Sequence, residues 1–94
     1  MRRYDEPIEV RSSEVGGDVA PAHFLWRRTV WRVLSVETRW KETADWWSRP
    51  SGDLLAESEV WRVVAASGRT GEPGVYELAR PAAGGDWLLR TVVD

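Results

Sequence analysis

The chain has 94 residues, 43% of them hydrophobic and 30% charged, with a net charge of −2. That balance describes one globular domain with a thin core, and it lacks the strongly basic signature of a dedicated nucleic-acid binder. There is no cysteine, which excludes a disulfide framework, a thiolate metal site and a Cys nucleophile.

The start, Met1-Arg2-Arg3-Tyr4-Asp5-Glu6-Pro7, turns acidic without an apolar core and does not read as an export signal. Residues 5–11 then alternate Glu6, Ile8 and Val10 with Pro7, Glu9 and Arg11, the period of a short strand, placed at a sheet edge by Pro7. Such an edge offers pairing to a second copy. Ser12 to Pro21 contains Gly16-Gly17-Asp18 and reads as a loop. Residues 22–27, around Phe24 and Trp26, form a second strand. Arg27-Arg28-Thr29 is the turn that follows, without the usual Gly or Asn.

Residues 29–40 predict a long strand, dense in β-branched and aromatic residues and free of alanine. Trp31, Val33 and Ser35 share one face; Val30, Arg32, Leu34, Val36 and Trp40 share the other. Its length predicts a bulge near Ser35. Lys41 to Trp47 reads as a loop or one helical turn, and Ser48 to Asp53 as turn chemistry. Three strands follow at 59–66, 75–80 and 87–93, separated by Gly/Pro loops at 67–74 and 81–86. The sum is an all-β domain, a small antiparallel barrel or strongly curled sheet of about six strands.

No motif for catalysis, metal or phosphate stands out. His23 is the only histidine, and no nucleophile elbow surrounds any serine, so a local hydrogen bond at a strand start is favoured over a triad. Glu57 and Glu59 share a strand face, where solvation is the ordinary outcome. The glycine loops lack the spacing of phosphate-binding motifs. A non-enzymatic protein without cofactor or metal is the expectation.

The informative feature is seven tryptophans, several of them beside arginine: Trp26-Arg27, Trp31-Arg32, Arg39-Trp40 and Trp61-Arg62. Residues 26–41 carry Arg27, Arg28, Arg32, Arg39 and Lys41 against Glu37 alone. Trp and Arg anchor protein interfaces. Exposed Trp with flanking Arg also stacks bases and neutralises phosphates. On a strand, adjacent residues point to opposite faces, which places Trp31 and Trp61 in the core and Arg32 and Arg62 outside. The repeated Val-Trp-Arg-Val of 30–33 and 60–63 suggests Trp on Trp and Arg on Arg if the strands pair. Trp46-Trp47 sits in a loop-like segment among Arg39, Lys41 and Arg49, and serves equally well as a contact surface or as a lid over an open barrel end. The candidate binding residues are Arg28, Arg39, Lys41, Trp46, Trp47 and Arg49.

The order of Pro7-Ile8-Glu9-Val10, Phe24-Leu25-Trp26-Arg27, Trp31-Arg32-Val33, Arg39-Trp40, Trp46-Trp47, Trp61-Arg62-Val63, Val75-Tyr76-Glu77-Leu78 and Trp87-Leu88-Leu89 with Asp94 resembles a small uncharacterised domain family of actinobacteria. That family looks like the domain found beside, or fused to the C-terminus of, Y-family DNA polymerases of the ImuB type. The resemblance implies an accessory module in translesion synthesis or DNA repair, with a polymerase-like protein partner and no catalytic residues to carry over; the lack of cysteine fits a cytoplasmic bacterial protein. It departs at Arg27-Arg28-Thr29, where a glycine-containing turn is expected. Direct single-stranded nucleic-acid binding is the alternative, membrane association is not expected, and the oligomeric state is left open.

Overall fold

The structure is a computed structural model that describes residues 1–15, 18–43, 57–69, 71–81 and 85–93. Six antiparallel strands form one closed ring in chain order: β1 (Arg2–Val15), β2 (Asp18–Trp26), β3 (Thr29–Thr43), β4 (Glu57–Ser67), β5 (Gly74–Pro81) and β6 (Trp87–Val93). Every strand pairs with its sequence neighbours, and β1 closes the ring against β6.

The inward residues of alternating strands build the core. Ile8, Phe24, Trp61, Val63, Ala65, Tyr76, Leu78 and Leu89 are buried together, with Tyr4, Val10, Trp26, Trp31, Val33, Trp87 and Val92 packed against them. Phe24 and Trp31 are stacked, with ring centroids 6.1 Å apart. Tyr76 meets both, at 5.8 and 5.2 Å. Five of the seven tryptophans fall within the described residues, and each is buried or half-buried. In a domain this small, such side chains supply burial that few aliphatic residues could match.

Several sequence readings are corrected. β1 and β2 consume most of the expected loop, meeting at Val15↔Asp18. The register shift between Arg11 and Ser12 lets Ser12 pair with Pro21, whose ring the bulge absorbs. β1 is no free edge. Its first half pairs with β6 and its second half with β2, so Pro7 sits where partners in register lie on one side only. Lys41 to Thr43 continue β3, against the helical turn, because they pair with Glu59, Ser58 and Glu57.

The bulge near Ser35 is present and is one of two, at Val33/Ser35 and Val36/Thr38. Each inserts one unpaired residue and flips the alternation. Between them Ser35 faces with Val64 and Val36 with Val63, the reverse of the simple pattern. Beyond the second, Trp40 returns to the Arg32 side, opposite Val60. The two Val-Trp-Arg-Val segments do lie on neighbouring strands, but Trp31 faces Ser67 and Trp61 faces Arg39, so like does not stack on like. At the β4–β5 turn Gly71 donates its N–H to the Ser67 carbonyl at 3.1 Å. A Cβ there would stand 2.1 Å from that oxygen, so only glycine fits.

A polar cluster ties β3 to β6, which are not neighbours in the ring. Trp40 Nε1 donates to Glu42 Oε1 at 2.8 Å, and Arg90 Nη1 donates to Glu42 Oε2. The Arg90 hydrogen bond, helped by that of Trp40, holds the Glu42 carboxyl below its ordinary range. A carboxyl lowered on folding contributes stability that is full above the unfolded value, about 4.3, and is lost as pH falls through the folded one. Thermal melts from pH 7 to pH 3 are therefore expected to show a loss beginning near pH 4.3, and Glu42→Gln is expected to reduce it.

A candidate binding face on β2 and β3

Most β-rich domains close a tight hairpin with Asn-Gly or a similar pair, because both central residues need positive φ. Here the β2–β3 turn uses Arg27 and Arg28, at φ 52° and 63°, between the paired Trp26 and Thr29. Each residue gives up roughly 1–2 kcal/mol relative to a right-handed conformation.

Contacts within the chain account for Arg27. Its Nη2 donates to Glu6 Oε2 at 3.0 Å. The guanidinium lies 5.0 Å from the Tyr4 ring centroid and 4.8 Å from that of Trp26. Trp26 Nε1 donates to the other Glu6 oxygen at 2.9 Å. These bonds, that of Arg27 foremost, lower the Glu6 carboxyl below its ordinary value and raise the Arg27 guanidinium. Asp5, also at positive φ, lies at the β1 irregularity beside this cluster.

Next to the turn the outer sheet surface is apolar. Leu25 pairs with Val30 across β2 and β3, and Glu9 pairs with Leu25 across β1 and β2. The adjacent row reads Arg11, His23, Arg32. A shallow depression of about 190 Å³ opens between Glu9, Arg11, His23, Leu25 and Val30. Val30 is 57% exposed, Leu34 48% and Leu25 39%. Apart from Met1, all the exposed large apolar side chains among the described residues lie on β2 and β3. His23 is exposed between two arginines, with no serine or carboxylate hydrogen-bonded to it among the described residues.

The structure disperses the sequence-derived candidates. Arg28 occupies the hairpin tip. Arg39 and Lys41 lie eleven and thirteen residues further along β3, on the order of 35–40 Å of extended strand away. There they line a groove of about 380 Å³ with Trp40 and Glu59. Arg39 and Lys41 are exposed. Trp46, Trp47 and Arg49 lie outside the described residues. Arg32 is exposed as expected. Arg62 instead pairs with the buried Glu77 at 2.8 Å, and its guanidinium lies 6.0 Å from the Trp40 centroid. Sequence reasoning missed the Leu25–Val30 pair. The signal was available, since both alternate with inward Phe24 and Trp31, but their outward position reads as ordinary for single residues.

Among the described residues no group of three or more His, Cys, Asp or Glu converges on a metal position, and no helix is long and apolar enough to cross a membrane. The fold defines a small all-β barrel domain that carries an exposed Leu25–Val30 pair next to Arg11 and Arg32 on its outer face. The chain belongs to the family described as a domain of unknown function (DUF6504), whose model matches residues 1–94. Comparison with curated proteins and with solved structures gives no match.

Proposed function

We propose that this protein is a non-catalytic interaction module that docks a protein partner on the β2–β3 face. The observation that carries this reading is the exposed Leu25–Val30 pair beside the hairpin turn, next to the row of Arg11, His23 and Arg32 on the same face. An exposed apolar pair rimmed by polar residues fits a contact surface, and Arg11, Arg28 and Arg32 supply the residue type most often found at the anchors of such surfaces. With Glu9 beside Leu25 and Asp86 near the tip, the arginines complement a single carboxylate on an otherwise apolar partner segment. The resemblance carried by the Trp and Arg motifs suggests the partner: an ImuB-type, Y-family polymerase-like protein working in translesion synthesis or DNA repair, in the bacterial cytoplasm.

The test is calorimetric titration of the purified protein against such a polymerase-like protein. Val30→Glu is expected to weaken binding by about tenfold or more while changing stability by no more than about 0.5 kcal/mol, the norm for an exposed site. Unchanged affinity in both Val30→Glu and Leu25→Glu removes this face from the reading.

A second reading, single-stranded nucleic-acid binding, draws on the groove of Arg39, Trp40 and Lys41. It is the weaker, because Trp40 is half-buried with its N–H bonded to Glu42, which leaves its ring poorly placed as a stacking platform. Titration with a fluorescent single-stranded oligonucleotide at low and physiological salt separates the two. Saturable binding with a steep salt slope favours nucleic acid. No binding at low salt favours the protein partner.

A further inference from the structure

The β2–β3 hairpin holds a residue at positive φ whose side chain no contact among the described residues engages. Arg27 and Arg28 both adopt positive φ, a region where glycine or asparagine is the ordinary choice. Arg27 is held by Glu6, Tyr4 and Trp26. Arg28 is exposed, and no hydrogen bond, ion pair or ring contact engages it among the described residues. Strain of this kind persists where surrounding structure enforces it, and it gathers at ligand-contacting positions.

Resting on the docking face proposed above, we infer that Arg28 is its anchor: an unpaired guanidinium carried on the hairpin tip to bind a carboxylate of the partner protein, beside an apolar side chain seated on Leu25. A groove of about 410 Å³ runs under the tip, lined among others by Pro7, Glu9, Leu25, Arg27, Arg28 and Asp86. Its charges choose between ligand classes. Arg27 is neutralised by Glu6, which leaves Arg28 as the unpaired cation of the groove among the described residues, beside Glu9 and Asp86. A phosphate backbone spreads negative charge along its whole length and meets two carboxylates here, so a polyanion is repelled. A single carboxylate on an otherwise apolar segment meets the fork of one guanidinium, the geometry that arginine recognises bidentately. The fixed turn places the Arg28 backbone, so binding orders its side chain but not a loop.

The test uses a random twelve-residue peptide library displayed on phage, selected on the wild-type protein and read by affinity of the synthesised winners. Arg28→Gly suits the turn better than arginine and is expected to fold, with a melting temperature raised by a few degrees. The expected result is enrichment of Asp or Glu beside an apolar residue, with peptide affinity reduced about tenfold or more by Arg28→Gly and only partly restored by Arg28→Lys, which keeps the charge and loses the fork. Winners without a shared acidic residue, or winners binding Arg28→Gly as tightly as wild type, overturn the anchor. Leu25→Glu distinguishes the two levels of inference. If it abolishes binding while Arg28→Gly does not, the docking face stands and the anchor falls. If neither matters, both fall. Binding of a single-stranded oligonucleotide that Arg28→Gly abolishes would also overturn it, by assigning the tip to phosphate.

Discussion

Trp61→Ala is expected to cost about 3–5 kcal/mol, the range for deleting a fully buried large aromatic. In a domain of this size that is a large share of a total of about 5–15 kcal/mol. Trp61 is 2% exposed. It lies in the middle of β4, opposite Arg39 on one side and Leu78 on the other. Its ring packs on Trp87 at 4.9 Å between centroids, and the Arg80 guanidinium sits 5.5 Å from one ring and 5.0 Å from the other. Alanine removes the shared surface of all three, and the barrel wall on both sides is β-sheet that cannot collapse inward to fill the space. Trp61→Phe separates two contributions. The Nε1 of Trp61 is buried without a hydrogen-bond partner, a liability of about 1–3 kcal/mol. Phenylalanine loses area but also removes that donor, so its cost is expected to stay below about 1.5 kcal/mol. Denaturant melts of the two variants decide it. A Trp61→Phe loss close to that of Trp61→Ala would mean the indole N–H is satisfied in solution.

Alternation alone revealed the strands that pack the core, because inward Trp, Phe, Val and Leu must recur every second residue along a half-buried strand. It failed where the period slips. Nothing in Leu34 or Glu37 as residue types marks them as the unpaired members of bulges, and once the two slips are in place Ser35 and Val36 exchange faces. The Gly16-Gly17-Asp18 and Pro21 signals pointed to a long loop, since local turn chemistry says nothing about ladder partners that β1 and β2 supply to each other. The candidate site was legible only in part. Arg28 was named for its place in a basic stretch, whereas its significance comes from a backbone conformation that the missing glycine hinted at but did not specify. Grouping it with Arg39 and Lys41 followed from nearness in sequence. An extended strand undoes that nearness, because at about 3.3 Å per residue it carries neighbours apart faster than any other element.

Arg62→Ala is expected to destabilise more than Glu77→Ala, although the two lose the same contact. The pair joins β4 to β5 in direct register, with Arg62 Nε and Nη2 donating to one Glu77 oxygen at 3.2 and 2.8 Å. Burial is unequal: the Arg62 side chain is 36% exposed, that of Glu77 9%. Without Glu77, the long arginine swings its head into water while its methylene stem stays on the sheet, so the expected cost is about 1–2 kcal/mol. Without Arg62, a carboxylate remains enclosed beside Thr91 and Ala79 with no charge to answer it. Breaking a fully buried pair in that way costs about 3–5 kcal/mol; the partial exposure of this one lowers the expectation to about 2–4 kcal/mol. Replacing both partners with alanine removes the unanswered charge along with the ion pair, so the double variant should lose less than the two single losses combined. Urea melts of the four proteins in a double-mutant cycle measure the coupling. A coupling below about 0.5 kcal/mol would show that the pair behaves as an exposed one, and equal single losses would show that Glu77 finds water when Arg62 is gone.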